Sequence, residues 1–503
     1  MRKHLVYNTI LLTAVSIYMR SVSLVFQVYV SNAIGASGIG LFTLILSVQA
    51  LAVTLATSGI RYAVTRLVAE ELGLNRHGGV GVVMKRSFAY AAIFSMLAMA
   101  LLYFGANRIG SDWVGDERTV LSLKILAFGL PFLSLCSVMS GYFTAVQKLS
   151  KYAAVQVFEQ LCMIGCIIVL IPKIPEGRID LSCAALVLGA AVADAAAFLF
   201  SLVLYLLDRR RYKRAFKKLA GVTGRLLRMA SPLALTAYAR VSLSTLQHLL
   251  VPSGLKRSGI SADAALSSYG VIQGMVFPML FFPSAFFLSV SELMIPELTE
   301  AQVSGNKPKM DMIVNRILRI CISFSIASAG LLFMFGDELG SALYSTADAG
   351  KYIKILAPLV VVMYLDTVTD GMLKGLGQQL YSMGINIMDA FISVVLVYFL
   401  LPVWAIKAYL FIIFITEAFN FMLSILRLAR VVAVTIKLSD FVKPLIFILT
   451  SANLSILLLR LIGLPLSGNV LSASLHIALS ALFYLSFSRL LCPASAGFNP
   501  VIR

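Results

Sequence analysis

The chain has 503 residues, of which 59% are hydrophobic and only 13% charged, and its mean hydropathy is +0.91. That apolar fraction lies above the roughly 45–50% of soluble domains and excludes a water-soluble fold. The net charge of +19 does not signal nucleic-acid binding, because the basic residues are scattered through short loops and no binding motif accompanies them.

A helix needs about 20 apolar residues to cross a bilayer. Fourteen such segments are predicted, at 5–30, 41–64, 87–108, 120–145, 152–171, 181–207, 229–251, 266–295, 316–335, 354–376, 381–401, 406–427, 443–461 and 470–490. The least distinct boundaries are the junction of the first two segments and the short interval 402–405 between the eleventh and twelfth.

Segment one begins after Met1-Arg2-Lys3-His4, as a signal peptide does, but no small-residue cleavage site follows, so it is read as an uncleaved first helix. It carries Arg20 deep inside, with Gln27 two turns on. A mid-bilayer charge costs about 2.5–3.5 kcal/mol on insertion scales, and snorkelling rescues only a charge within a turn or two of the interface. Arg20 therefore either faces a wet cavity and binds an anion or pairs with a buried acid. Arg61, with Arg66 and Glu70, falls at the end of segment two, where contact with lipid headgroups is the simpler alternative to a cavity role. Segment five holds Glu159, Cys162 and Cys166. The two cysteines share a helix face without histidine or carboxylate company, which reads as packing and not as a metal site. No cofactor is predicted. Asp194 stands mid-helix in segment six among alanines, as a coupling acid or a counter-ion for an arginine.

The strongly basic stretch 208–228 links segments six and seven. Most Lys and Arg fall on the side of this linker, which by the positive-inside rule puts both termini in the cytoplasm. Segment seven carries Arg240, Gln247 and His248; segment eight carries Gln273, Pro278, Pro283 and Glu292. Prolines remove a backbone hydrogen bond and kink a helix, and Pro278 and Pro283 are the best candidates for a bend that changes between states. In segment ten, Asp366 and Asp370 are four residues apart and share a face, which Lys374 continues. A carboxylate pair there carries protons or Na⁺, whereas an Asp370–Lys374 ion pair is structural. Asp389 and Glu417 follow in segments eleven and twelve. Gln27, Gln247 and Gln273 are candidate hydrogen-bonding groups for sugar hydroxyls, with helix–helix packing as the alternative.

Two stretches recur. Tyr18, Arg20 and Gln27 repeat as Tyr238, Arg240 and Gln247; Lys124-Ile125-Leu126-Ala127 with Gly141 repeats as Lys354-Ile355-Leu356-Ala357 with Gly371. The expected organisation is an all-α polytopic membrane protein of fourteen transmembrane helices. Two pseudo-symmetric six-helix lobes, residues 1–215 and 216–440, are followed by two extra helices within 441–503. A matching arginine in each lobe points to a transporter that holds a phosphate, since a guanidinium donates a two-pronged hydrogen bond and never deprotonates. No P-loop, nucleophile elbow or HExxH pattern is present and no soluble domain exceeds about 20 residues, so an enzyme is not expected.

Residues 34–42, then Ser58-Gly59 and Arg66–Glu70, resemble the start of stage V sporulation protein B-type proteins. Residues 288–301 and 370–378 resemble that family's eighth-helix end and tenth-helix motif. That family belongs to the multidrug/oligosaccharidyl-lipid/polysaccharide (MOP) exporter superfamily. The resemblance implies alternating access and export of a lipid-linked oligosaccharide, such as a peptidoglycan precursor, across a bacterial plasma membrane. It also implies membrane lipids and cell-wall synthesis proteins as partners. Related lipid II flippases use cavity arginines for the substrate diphosphate, and Arg20 fits their helix-one arginine. Residues 51–58, however, are uncharged where those flippases carry charge in mid-helix two. The alternative is a cation-coupled multidrug exporter of the same superfamily, in which acids, not arginines, dominate the cavity.

Overall fold

A computed structural model describes residues 2–74, 76–175, 177–209, 221–284, 297–344, 346–463 and 469–491. The basic run 210–218, Glu292 and most of the motif at 288–296 lie outside the described residues. In chain order the α-helices are α1 (Arg2–Thr57), α2 (Ile60–Gly73), α3 (His77–Arg108), α4 (Val120–Ala145), α5 (Leu149–Leu170), α6 (Ile179–Arg209) and α7 (Val222–Arg257). They continue with α8 (Ala262–Gly270), α9 (Phe277–Phe281), α10 (Lys307–Met334), α11 (Gly336–Leu343), α12 (Ala347–Leu356) and α13 (Leu359–Gly375). The last three are α14 (Gln379–Val431), α15 (Ser439–Leu461) and α16 (Val470–Leu491). Residues 297–303 are also helical. Among the described residues ten helices are long and apolar enough to cross a membrane, or eleven when α12 and α13, bent by 58°, count as one span.

The two boundaries that are least distinct in sequence turn out to be single-residue breaks. Gly35 (φ 71°, ψ 175°) divides α1, and Ala405 (φ 51°, ψ −133°) divides α14 just after Pro402. Segment two also differs from expectation: the helix stops at Thr57, passes through Ser58 and Gly59 with positive φ, and restarts as α2.

The internal repeat reaches down to hydrogen-bond geometry. After α4 the amides of Val146 and Lys148 return to the carbonyls of Tyr142 and Phe143; after α13 those of Leu376 and Gln378 return to Met372 and Leu373. The residue in the left-handed region is Gln147 (φ 57°) in one turn and Gly377 (φ 67°) in the other. After α2 the pair is Leu74 to Glu70 and Arg76 to Glu71; after residues 297–303 it is Ser304 to Glu300 and Asn306 to Ala301. Each is the six-to-one closure that caps a helix end. Positions 74 and 304, and 146 and 376, are both 230 residues apart, the offset that also relates Lys124 to Lys354.

The chain divides into two compact units. One comprises Met1–Phe26, Ser37–Ser267 and Val394–Val403; the other comprises Gln27–Ala36, Ser268–Ser393 and Trp404–Arg503. The first unit contains α7 as well as α2 to α6. Its core joins Val64, Leu67 and Val68 of α2 to Met84 of α3, Met139 and Tyr142 of α4, and Leu226 of α7. At the end of α6, Asp208 is 2% exposed and accepts hydrogen bonds from Tyr142 (3.0 Å), Lys151 (3.2 Å) and Lys148. Asp208→Ala leaves two ammonium groups and a phenol without their acceptor. The lysines are partly solvated, so the cost is about 2 kcal/mol, below that of a fully buried pair. Thermal unfolding in detergent should show a lowered midpoint, and an unchanged one would remove Asp208 as an anchor.

In the second unit α10 packs against α13 and α15, and the strap 432–438 between α14 and α15 is tied along α10. Asn315 Nδ2 donates to the Ala433 carbonyl (2.7 Å), the Thr435 amide donates to Asn315 Oδ1 (2.6 Å), and the Ala433 amide donates to Asp311 (3.0 Å). These side chains stand in for a strand partner and satisfy backbone groups that have no helix to join.

Candidate functional site: mid-helix arginines of the first unit

Three of the arginines singled out by sequence, Arg20, Arg61 and Arg240, fall in the first unit. Arg240 lies 18 residues from the start of α7 and 17 from its end. Arg20 lies 18 residues from the start of α1 and 15 from the break at Gly35. At 1.5 Å per residue each is about 22–27 Å from either helix end; α7 itself is not among the helices apolar enough to count as a span. Arg20 is half-buried; Arg61 and Arg240 are exposed. Among the described residues no carboxylate pairs with any of the three, although twelve other close charge contacts are formed. The alternative in which a buried acid compensates each arginine is therefore not realised among those residues.

What positions these side chains is a set of bonds from polar groups to backbone. Near Arg20, Gln160 of α5 donates through Nε2 to the Met19 carbonyl (3.1 Å) and to Ser23 Oγ (2.9 Å), fixing α1. Arg61 begins α2 just after the Ser58–Gly59 break. Tyr90 donates to the Ser58 carbonyl (3.2 Å), Ser134 to the Ala56 carbonyl (2.8 Å), and the Ser58 and Tyr238 hydroxyls share a hydrogen bond. The Arg61 guanidinium then lies over the Tyr152 ring, 4.8 Å from its centroid, an attraction of about 0.5–1 kcal/mol at an exposed site. Arg240 is two residues from Tyr238, and Thr245 ties the same helix to α1 through the Ser47 carbonyl (3.0 Å).

Gln247 is in the first unit with the arginines, whereas Gln27 and Gln273 are in the second. Gln27 Nε2 donates to the Gly274 carbonyl (2.8 Å), and Gln273 Nε2 to the Tyr409 hydroxyl (2.5 Å). Of the candidate coupling acids, Asp194 is in the first unit, packed where Gly129 lacks a side chain; a Cβ there would lie 3.3 Å from Asp194 Oδ2. Asp366 and Asp370 do share a face of α13, but their surroundings differ. Asp370 accepts from Lys374 (2.5 Å) and from Ser382, so the structural ion pair forms. Asp366 Oδ1 is buried with no donor among the described residues, as is Asp389 Oδ1. Gln160 and Tyr152 were not singled out from sequence. A similar contact occurs in the second unit, where Arg427 lies over the Tyr381 ring at 4.7 Å, although Tyr381 is one residue short of the repeat position of Tyr152.

Comparison with known proteins gives this arrangement its family. The sequence profile of the family described as polysaccharide biosynthesis protein matches residues 5–296. Stage V sporulation protein B of Bacillus subtilis (strain 168) is 23% identical over 391 residues, covering 77% of this chain and 75% of that one. Lipid II flippase MurJ of the same organism is 21% identical over 432 residues, covering 79% and 77%. A solved structure described as lipid II flippase MurJ in an inward closed conformation superposes with a TM-score of 0.70 at 13% identity, covering 96% of this chain and 98% of that one. The chain thus has helices long and apolar enough to cross a membrane many times, and it belongs to the polysaccharide biosynthesis protein family.

Proposed function

We propose that the protein flips a lipid-linked oligosaccharide, carried on a polyprenyl pyrophosphate, from the cytoplasmic to the outer leaflet by alternating access. The observation that carries this reading is the presence of two guanidinium groups at helix midpoints, Arg20 and Arg240, without carboxylate partners among the described residues. A diphosphate supplies the missing negative charge, and its oxygens accept the paired N–H donors of a guanidinium. Arg61 adds a third positive group and Gln247 a hydrogen-bonding partner for sugar. The kinship with a sporulation protein and with a lipid II flippase supports a glycan-bearing lipid as cargo.

Fourteen spans, two six-helix lobes at 1–215 and 216–440, a pair of appended helices and cytoplasmic termini complete the proposed topology. The breaks at Gly35 and Ala405 support counting α1 and α14 as two spans each. A second reading, cation-coupled export of drugs, draws on the buried donor-less oxygens of Asp366 and Asp389; under the glycolipid reading these acids and Asp194 are proposed as coupling groups.

Proteoliposomes loaded with a fluorescent polyprenyl-diphosphate oligosaccharide test the choice. The expected result is protein-dependent exposure of the labelled headgroup to a membrane-impermeant quencher. Cation-driven drug movement with no headgroup movement would overturn the proposal.

A further inference from the structure

Segment eight is built around a defect. Residues Val271–Val276 form a π-helical turn, in which the Phe277 amide returns five residues to the Ile272 carbonyl, and α9 begins immediately after with Pro278 near its start. Proline has no N–H, so at the exit of the π turn one donor is missing, the one that would serve Gln273 in the π register or Gly274 in the α register. A buried carbonyl left in that condition is costly, and inside a bilayer no water is present to relieve it. The donor arrives from elsewhere: Gln27 of α1, 247 residues away in sequence, places Nε2 2.8 Å from the Gly274 oxygen. Gly274 and Gln27 belong to the same compact unit, so the bond lies within one body. Two tyrosines brace carbonyls further along the segment, Tyr344 on Met275 (3.0 Å) and Tyr364 on Leu280 (2.6 Å).

We infer that Gln27 is a positioning residue that controls the bend of the α8–α9 segment by substituting for the N–H that Pro278 lacks. The bond is a single neutral hydrogen bond between different helices, so it can open without unwinding either one. With the amide in place the π turn and the proline break are held in one geometry. With it withdrawn, the Gly274 carbonyl must find another donor and the segment samples other bends. π turns inside helices are common at functional sites for this reason: they place a movable irregularity in an otherwise fixed rod. The neighbouring Met275 carbonyl is different in kind, because residue 279 four places on is a methionine and retains its N–H. Gln27 thereby has a task that depends on donor chemistry and not on filling space.

Hydrogen exchange on the full-length protein in detergent, read over residues 275–282, tests this. Gln27→Met keeps the side-chain volume and removes the donor. It should raise exchange about tenfold, the loss expected for one unsatisfied buried carbonyl. Pro278→Ala restores an N–H at the exit of the π turn, so adding Gln27→Met to that background should change exchange by less than twofold, a coupling between the two positions. If Pro278→Ala does not fold, Tyr344→Phe serves as the reference and should raise exchange several-fold less than Gln27→Met. The inference is overturned if Gln27→Met leaves exchange unchanged, has the same effect with and without Pro278, or matches Tyr344→Phe.

Discussion

Arg20→Ala and Arg240→Ala are each expected to lower glycolipid flipping at least about a hundredfold while leaving the amount of folded protein in the membrane unchanged. The size follows from two charge-assisted hydrogen bonds to a diphosphate, worth about 1.5–3 kcal/mol apiece. The sign of the stability change is the sharper part. No carboxylate among the described residues is orphaned by the loss of either guanidinium. Both alanine variants should therefore unfold at the same temperature as the parent or higher. Arg20→Lys and Arg240→Lys keep the charge but lose the planar fork, and an intermediate loss of about tenfold is expected. Arg61→Ala should cost less, since part of what it gives up is contact with Tyr152. Reconstituted transport and thermal unfolding, measured on the same preparations, check both halves. A drop in stability without a drop in transport would make these arginines structural.

Gly40→Val is expected to prevent stable folding, and Gly40→Ala to cost at least about 3 kcal/mol. A Cβ at Gly40 would sit 2.2 Å from the Leu266 carbonyl oxygen and 3.0 Å from its carbon. The obstacle is backbone, so a rotamer change cannot relieve it, and the α1–α8 contact must open instead. Gly165 of α5 and Gly384 of α14 provide the contrast. Both are helical, neither has an atom within 4 Å of an added Cβ, and neither has a positive φ. Gly165→Ala and Gly384→Ala should be neutral or stabilising by up to about 1 kcal/mol, the difference in helix propensity. Unfolding midpoints of the three alanine variants give the comparison directly. A Gly40→Ala protein as stable as the other two would mean that α1 and α8 do not approach this closely.

Much of the architecture is readable because the bilayer enforces it. Long apolar runs, basic loops and a repeated Lys-Ile-Leu-Ala at 124 and 354 survive as local pattern, and the 230-residue offset reappears in the turns after α2 and α4. Breaks are less visible. The sequence puts boundaries at 31–40 and 402–405 but does not show that each is a single left-handed residue, Gly35 and Ala405, within otherwise continuous helix, and it does not anticipate the π turn at 271–276. The spacing of Asp366 and Asp370 correctly placed them on one face of α13, but only coordinates separate the acid held by Lys374 and Ser382 from the one with an unoccupied oxygen. The supports of the site were equally out of reach. Gln160 meets α1 across 141 residues and Gln27 meets Gly274 across 247, and no short-range pattern specifies a partner at such a distance. Arg20 and Arg240 could be singled out because a charge deep in an apolar run is conspicuous regardless of what surrounds it.

Gentle purification followed by mass spectrometry of the bound lipid bears most directly on the anion-holding role of Arg20 and Arg240. The account predicts a polyprenyl-diphosphate-linked saccharide in the parent protein and its loss, about tenfold or more, from Arg20→Ala and Arg240→Ala. Equal recovery from all three proteins, or only bulk phospholipid in the parent, would contradict it.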